Sequence, residues 1–405
     1  MGVFLYCIHI INFRKILMKK TLLCLALAGL LSACGGSDDN SSTPPASNIG
    51  TQTGVLTDAV ISGVRYVTSS GATGVTNEKG EFKFNDDEKV KFFIGGVQLG
   101  DEIEAKERIT PLDLVESENA RINLMVFLQS LDGKGDHSDG IQISDDTKTA
   151  FTAVKLNFNQ STTDFVNEVV TKTAITPDQL ITPEKASENF QATFYKDIAG
   201  TWEINRTDNT AVLIHILEDG RYALGEAEAK DESGQAGIEM GRLKWNATTT
   251  VIEPEILHDT NGEWGLSHPA ENKPYSLNFN GTQLILTEPG VSTEYRLNRV
   301  KQSNSLVGTW RLNETHLFAF FDNNYYFFLD TEGGDDCGWP GIEYGKYTLS
   351  ANTLTTTEVL FDTNECGGLQ DSSNGGKTIA NINISNNNLI LHPQGEDPVT
   401  LQRVK

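Results

Sequence analysis

The sequence predicts a mainly β, multidomain protein whose C-terminal half consists of two duplicated, small antiparallel β-barrels. Three observations predict this class. Outside one central segment, the chain after residue 50 consists of short apolar runs with period-two alternation, separated by Gly, Asn and Asp. The central segment, from about 110 to 197, has the apolar spacing of helices. From residue 198 onward the same pattern occurs twice, which indicates a tandem duplication.

The duplication rests on five matches that occur in the same order at a nearly constant spacing of about one hundred residues. The matching segments are Gly200-Thr201-Trp202 and Gly308-Thr309-Trp310, Leu213–Leu217 and Leu317–Phe321, Gly237–Gly241 and Gly341–Gly345, Asp259-Thr260-Asn261 and Asp362-Thr363-Asn364, and Arg299-Val300 and Arg403-Val404. This period is too long for a propeller blade or a solenoid turn, and it matches a whole small domain. Each copy, 198–301 and 302–405, contains about seven or eight strand-like runs, which favours a small up-and-down barrel.

The early Gly-Thr-Trp and the late Arg of each copy resemble the pattern of lipocalin-like (calycin-like) barrels. In that family the first-strand Trp packs under a last-strand Arg at the closed end of the barrel. The resemblance implies that Trp202 pairs with Arg299 or Arg296. In the second copy it implies that Trp310 pairs with Arg403, a contact of packing and cation–π attraction. Each copy is shorter than a full lipocalin, which argues against a large ligand cavity.

The segment 51–109 has short alternating runs split by turns, and Asn77-Glu78-Lys79-Gly80 is a hairpin signal. The segments Asp58–Val64 and Gly74–Phe82 resemble carboxypeptidase-regulatory-like β-sandwiches, which serve as spacers or packing modules in bacterial surface proteins. The resemblance implies an N-terminal β-sandwich. A fold of this kind does not by itself imply a function.

Residues 110–197 predict a small helical unit packed beside the sandwich. Thr110-Pro111 opens a segment whose apolar residues recur on one broad face. Ser144 and Ser161, each followed by Asp within three residues, are typical helix N-caps. A last helix is expected to begin near Thr182-Pro183.

Residues 1–33 predict a signal peptide, with Met18 as the expected start of translation. Lys19 and Lys20 precede a short apolar run and then small residues, the pattern of an export signal. The run is too short to span about 30 Å of hydrocarbon. A membrane helix formed by residues 1–17 is the alternative to an over-extended start.

Leu31-Ser32-Ala33-Cys34 resembles the lipobox of bacterial lipoproteins. The resemblance implies a diacylglyceryl group on the thiol of Cys34 and an N-acyl chain, such as palmitate, on its new amino group. Several acyl chains make such an anchor effectively permanent. Gly35 stands where inner-membrane lipoproteins of this family carry Asp, so we expect an outer-membrane protein, periplasmic or surface-exposed. Residues 34–50 are a polar, flexible tether.

The chain is acidic, with a formal net charge of −23, and loss of the leader removes four basic and no acidic residues. Because nucleic-acid binding needs clustered Lys and Arg, this charge argues against a nucleic-acid partner. The expected partners are the membrane, through the lipid, and a protein, a glycan or a small apolar ligand. No cofactor is expected besides the covalent lipid.

The mature chain keeps two cysteines besides Cys34, because Cys7 and Cys24 leave with the leader. In an oxidising compartment the pair Cys337 and Cys366 predicts a disulfide. Two cysteines alone do not make a zinc site, and no other ligand stands at a diagnostic spacing.

The sequence contains no Gly-x-Ser-x-Gly, no His-Glu-x-x-His and no phosphate loop. From this we expect that the protein is not an enzyme. Asp132, Asp136 and Asp139 are weak calcium candidates, but Lys134 and the missing terminal Glu favour a polar turn. The repeated Asp-Thr-Asn is likewise expected to build turns rather than to bind a ligand.

An aromatic hairpin in the second copy is the best candidate for a contact surface. Strand alternation sends half of its side chains into the barrel and half outward, where they pack on the first copy or stay exposed. We favour packing between the barrels. The candidate contact residues are Phe318, Phe320, Tyr325 and Phe327.

These observations together predict a non-enzymatic, membrane-anchored lipoprotein that acts as a binding or adhesion module or in envelope assembly. The alternative is a lipocalin-like carrier of a small apolar ligand, which would use one or both barrel interiors.

Overall fold

The computed structural model describes residues 50–132, 139–204, 211–268, 273–288, 290, 294–332, 339–370 and 378–404. The predicted signal peptide, Cys34, the tether, Asp136 and Cys337 lie outside the described residues. The prediction of a mainly β, multidomain protein is confirmed. Among the described residues, no helix is long and apolar enough to cross a membrane.

The N-terminal region folds into two small sheets that pack on each other. Its strands are β1 (Gln52–Leu56), β2 (Ile61–Ser62), β3 (Arg65–Thr68), β4 (Thr73–Val75), β5 (Glu81–Phe84), β6 (Lys89–Ile94), β7 (Val97–Gln98), β8 (Ile103–Glu104) and β9 (Arg108–Ile109). One sheet has the order β5-β1-β9, and the other has the order β4-β3-β6-β7 with β8 also paired to β6. Phe82 from the first sheet lies 5.8 Å from Tyr66 and 5.2 Å from Phe92 of the second, between ring centroids. These aromatic contacts fill the space between the sheets.

The helical unit comprises α1 (Pro111–Leu114), α2 (Glu118–Ser130), α3 (Asp145–Ala150), α4 (Thr162–Lys172) and α5 (Pro183–Ile198). Strand β10 (Ile141–Gln142) pairs in parallel with β2, and a 3-10 turn covers Pro177–Gln179. Ser144 and Ser161 cap α3 and α4 as predicted, and Thr182 caps α5 at its expected start. Each side chain accepts a hydrogen bond from the backbone N–H three residues further on.

Helix α2 joins two cores, so the helical unit lies between the sheets and the first repeat rather than only beside the sandwich. Leu124 and Phe127 belong to the core of the N-terminal sheets, whereas Met125 and Val126 belong to that of the first repeat. Arg108 of β9 forms an ion pair of 2.5 Å with Asp197 of α5, which ties the regions together.

The first repeat forms one eight-stranded antiparallel sheet that stays open between two of its strands. The strands are β11 (Gly200–Ile204), β12 (Ala211–Ile216), β13 (Arg221–Ala227), β14 (Gly237–Arg242), β15 (Glu255–Asp259), β16 (Ser276–Phe279), β17 (Gln283–Thr287) and β18 (Glu294–Arg299). Their order is β15-β14-β13-β12-β11-β18-β17-β16, which is the order of an up-and-down barrel opened between β15 and β16. The predicted barrel is therefore incomplete in this copy, where a single β-bridge joins Val251 to Ser276.

Helix α5 supplies apolar side chains to the open copy. The ring of Phe194 stacks on Trp245 with centroids 3.8 Å apart and planes 9° apart. The indole N–H of Trp245 donates to the carbonyl of Leu277 at 2.9 Å, and its backbone N–H donates to the hydroxyl of Tyr195 at 3.0 Å. The helix thus completes the core where the sheet does not close.

The second repeat is a closed eight-stranded barrel, as predicted. Its strands, each paired with the next and the last with the first, are β19 (Gly308–Arg311), β20 (His316–Phe320), β21 (Tyr325–Asp330), β22 (Gly341–Ser350), β23 (Thr353–Asp362), β24 (Ile379–Ser385), β25 (Asn388–Pro393) and β26 (Val399–Arg403). Strands β22 and β23 have ten residues each, against six and five in β14 and β15. The longer strands reach far enough for β23 to pair with β24.

The two repeats pack through the outer faces of corresponding strands. Phe327 and Leu329 of β21 lie against Gly225 of β13, where a Cβ atom would approach them to within 2.7 Å and 2.5 Å. Leu213, Ala223 and Ile238 of the first copy join the same apolar cluster. A side chain at Gly225 would push the barrels apart, so the glycine permits this close packing.

Candidate functional site

The closed end of each repeat carries the predicted Trp–Arg pair. The guanidinium of Arg299 lies 4.2 Å from the ring centroid of Trp202, and that of Arg403 lies 3.9 Å from Trp310. Arg296, the alternative partner of Trp202, instead pairs with Glu294 at 2.6 Å. The structure therefore brings together both pairs that the resemblance implies.

Both arginines also hold the chain that leads into their barrel. Arg299 donates to the carbonyls of Ala199 and Asp197, at 2.8 and 2.6 Å. Arg403 donates to the carbonyls of Ser305 and Val307, at 2.7 and 3.3 Å. These contacts cover one end of each repeat.

The opposite end of each repeat contains a cavity, and the two cavities occupy equivalent positions. The cavity of the first copy measures about 260 Å³ and that of the second about 420 Å³. Ile214 and Phe318 are equivalent by strand register, because Ile214 lies opposite the first-strand Trp of the first copy and Phe318 lies opposite that of the second. The equivalent wall positions are Ile214 and Phe318, Leu224 and Phe328, Leu266 and Leu369, Leu286 and Leu391, and Tyr295 and Val399. Both walls are therefore mainly apolar.

A buried glutamate lies behind each cavity and is held by the same network in both copies. Glu239 accepts hydrogen bonds from the hydroxyl of Tyr222 at 2.7 Å and from the backbone N–H groups of Leu266 and Ser267 at 3.0 and 3.1 Å. The hydroxyl of Ser267 also donates to it. All these contacts lie within one copy.

The second copy repeats this arrangement. Glu343 accepts from the hydroxyl of Tyr326 at 2.8 Å and from the backbone N–H groups of Leu369 and Gln370 at 2.8 and 3.1 Å. Burial raises the pKa of Glu343 to about 7, although these donors favour the anion. Burial also raises the pKa of Tyr326, and the neighbouring Glu343 adds to the shift.

The loop after the fifth strand carries those backbone donors into the barrel. Its repeated Asp-Thr-Asn forms turns, since the backbone N–H of Asn261 donates to Asp259 at 3.1 Å and that of Asn364 to Asp362 at 3.2 Å. Gly265 adopts a φ of 91°, and a Cβ there would lie 2.6 Å from a carboxylate oxygen of Glu239. Glycine is needed because the loop passes so close to the glutamate.

Carboxylates line both cavities, together with one histidine in each wall, His268 in the first copy and His316 in the second. Glu226, Glu228 and Glu263 line the first cavity, and Asp330 and Glu396 line the second. Among the described residues, neither wall includes a lysine or an arginine. Each cavity therefore combines apolar walls with negative charge.

The structure gives the predicted contact residues separate roles. Phe318 lines the second cavity, and Phe320 is buried in the core of the same barrel. Phe327 and Tyr325 belong to the cluster between the barrels, as the favoured alternative of interbarrel packing proposes. Cys366 also lines the second cavity. Its predicted disulfide to Cys337 stays a prediction, because that cysteine lies outside the described residues.

Two groups of side chains are relevant to metal binding: the predicted Asp132, Asp136 and Asp139, of which Asp136 lies outside the described residues, and Glu239, Asp259 and His268. Asp132 accepts the backbone N–H of Gln142 at 3.1 Å, which fits the favoured turn. Glu239, Asp259 and His268 each bring a ligand atom within 4.8 Å of the others. Donors within the first copy already occupy Glu239, so no metal is needed to explain this group.

Sequence reasoning missed the buried glutamates and the cavities. The signal was present, because Gly237-Ile238-Glu239 and Gly341-Ile342-Glu343 place a charged residue in the same apolar strand of both copies. A carboxylate kept in a duplicated strand indicates a buried partner.

Comparisons with known proteins do not assign the chain to a family. No protein-family model matches the chain, and no curated protein matches it. A solved structure of a DNA polymerase III beta sliding clamp from Bartonella birtlesii covers 53% of this chain and 82% of its own, at 11% identity and a TM-score of 0.09. That TM-score is too low to support a shared fold.

Proposed function

We propose that this protein is a non-enzymatic, lipid-anchored binding protein. Each of its two repeats would bind a small, mainly apolar ligand in the cavity at the end opposite its Trp–Arg pair. The observation that carries the proposal is the equivalence of the two cavities. They occur at the same strand positions although one repeat is closed and the other is open. A cavity retained through that difference suits a shared binding role.

The size and lining of the cavities support a small ligand. The volume of about 420 Å³ lies near the lower end of the roughly 300–1,000 Å³ usual for ligand sites, and that of about 260 Å³ lies just below it. Leu224 and Leu266 in one wall and Phe328 and Leu369 in the other are buried apolar side chains. Burying an apolar ligand against them is favourable by about 25 cal/mol for each Å² removed from water.

The proposal is tested by purifying the full chain from its own cell envelope and recording a native mass spectrum beside an organic extract. We expect a co-purifying small molecule at up to two copies per chain. A spectrum of the bare polypeptide, together with no uptake of added apolar probes, would remove the carrier role.

The anchor is part of the same proposal. Cys34 would carry the diacylglyceryl and N-acyl lipid, and the protein would reside in the outer membrane. Labelled palmitate should enter the wild-type protein and not the Cys34→Ser variant. Added protease on intact cells then separates a surface-exposed protein, which is cut, from a periplasmic one, which is protected.

Adhesion or envelope assembly is a second candidate, which the exposed apolar side chains near the second barrel favour. Trp339 is 60% exposed, and Leu312, which lines the second cavity, is 46% exposed. A Trp339→Ser, Leu312→Ser double variant should then lose binding to host cells or to envelope proteins that the wild type binds. Retained binding would argue against this surface.

The disulfide between Cys337 and Cys366 is also proposed. It would close a loop of about 30 residues and contribute roughly 3 to 4 kcal/mol. A thiol assay on denatured, unreduced protein should find neither cysteine reactive, and two reactive thiols would refute the pairing.

A further inference from the structure

We infer that the two cavities select ligands with a cationic, amine-bearing head and discriminate against ligands with a carboxylate head. This inference rests on the proposed function, because it specifies the ligand class of the same cavities. The carboxylates that line each cavity and the apolar walls beside them support it.

In the first copy three carboxylates line one cavity. Glu226 and Glu228 are half-buried on β13 and just beyond it, and Glu263 is exposed on the loop that crosses the opening. Glu226 accepts a hydrogen bond of 2.7 Å from the amide of Asn261, which fixes that carboxylate at the wall. A positioned carboxylate beside apolar walls suits an ammonium group that enters with an apolar chain.

The second copy has an acid at the equivalent place. Strand register pairs Val212 with Glu226 and His316 with Asp330, so Asp330 corresponds to Glu226. Asp330 is 3% exposed, and His316 lies 3.5 Å from it. Glu396 adds an exposed carboxylate at the rim. The acidic character is therefore present in both copies with different residues, Glu and Asp.

Electrostatics turns this lining into selectivity. A carboxylate head would face like charges in a site of reduced dielectric, with no described lysine or arginine in the wall to pair with it. An ammonium head would gain charge-assisted hydrogen bonds instead. The net charge of −23 attracts cations to the whole protein and repels anions.

The test compares octylamine, 1-octanol and octanoate, which share one chain length, by calorimetry on the full chain. The titrations are run at pH 8, where the amine is a cation and the carboxylate is an anion. We expect octylamine to bind at least about tenfold more tightly than octanoate, with octanol between them. Equal affinities for octylamine and octanoate would overturn the inference and leave the proposed function standing. Failure of all three probes to bind would overturn both.

Matched variants locate the effect. Glu226→Gln together with Glu396→Gln keeps side-chain size and should reduce the amine-to-carboxylate preference about tenfold or more while octanol affinity stays the same. Asp330→Asn should likewise reduce the amine-to-carboxylate preference, through the second copy. If the Asp330→Asn variant does not fold, Glu396→Gln alone, at an exposed position, replaces it as the test of that copy. Glu104→Gln in β8 is the control for a general loss of charge. A preference that falls equally in Glu104→Gln and in the cavity variants would overturn the assignment to the cavities.

Discussion

The two repeats share the features at their ends but differ in how their sheets close. Both keep the Trp–Arg contact, the buried Tyr–Glu pair and the cavity. The second closes its barrel with its own strands, whereas the first stays open between β15 and β16. The ends of this domain are therefore constrained more strongly than the pairing of its strands.

The open repeat depends on a neighbour for its core. Phe190 and Phe194 of α5 pack on Trp245, at centroid distances of 5.7 and 3.8 Å. The closed repeat instead fills itself with aromatic side chains, among them Phe320, which meets Tyr347 edge-on at 5.4 Å. We therefore expect the first repeat to unfold together with the helical unit, and the second to hold its own core.

The largest expected effect comes from Trp245→Ala, which removes the side chain on which α5 stacks. Loss of a fully buried indole should lower the free energy of unfolding by about 3–5 kcal/mol. Urea denaturation of the full chain measures the loss. Trp339→Ala, at a side chain that is 60% exposed, is the control and should change stability by less than about 0.5 kcal/mol. Equal effects of the two variants would contradict a core shared with the helix.

Glu343→Gln tests the buried acid of the closed repeat. Because burial raises its pKa from 4.5 to about 7, the folded state keeps a proton that the unfolded state loses between these values. The stabilisation that this proton gives the folded state is complete below pH 4.5. It is lost as the pH rises toward 7, which lowers the free energy of unfolding by up to about 3 kcal/mol. Urea denaturation from pH 4.5 to 7.5 should show this fall in the wild type relative to the variant. Parallel curves would mean that Glu343 titrates normally.

His215→Ala tests a group that the open repeat has and the closed repeat lacks, since Ala319 stands at the equivalent position. Burial, with the nearby charge of Arg311, lowers the pKa of His215 from 6.5 to about 4. The contribution of the neutral imidazole to stability is therefore complete above pH 6.5. As the pH drops toward 4, the free energy of unfolding falls by up to about 3 kcal/mol. The variant should lack this fall when both proteins are compared by denaturation across that range, and an unchanged acid dependence would contradict the burial of a neutral imidazole.

The smallest effect is expected for the closing arginines. Arg299→Ala and Arg403→Ala each remove a cation–π contact and hydrogen bonds to backbone carbonyls, and each should cost about 1–2 kcal/mol. Arg299 holds the end of α5, so its loss should also increase hydrogen exchange in that helix. Arg403→Ala should leave the exchange of α5 unchanged, and increased exchange in both variants would refute this separation.

The parts of the structure that the sequence predicted correctly involve positions that recur in the two copies. The Trp–Arg pairs were implied by the lipocalin-like resemblance, and the interbarrel packing of Phe327 was predicted from strand alternation, which is a periodic signal. The open sheet could not be foreseen, because the apolar pattern does not show that β14 and β15 are too short for β15 to pair with β16, or that Trp245 packs on Phe194 of a helix distant in sequence. The cavities were missed for a related reason, since they depend on a loop that folds back onto Glu239 and Glu343.

The proposed binding of one small ligand in the cavity of each repeat is tested by titrating the full chain with the neutral fluorophore N-phenyl-1-naphthylamine. The variants Leu224→Trp and Phe328→Trp each fill one cavity. We predict two bound molecules in the wild type and one in each variant. Unchanged stoichiometry in both variants, or no binding to the wild type, would contradict the claim.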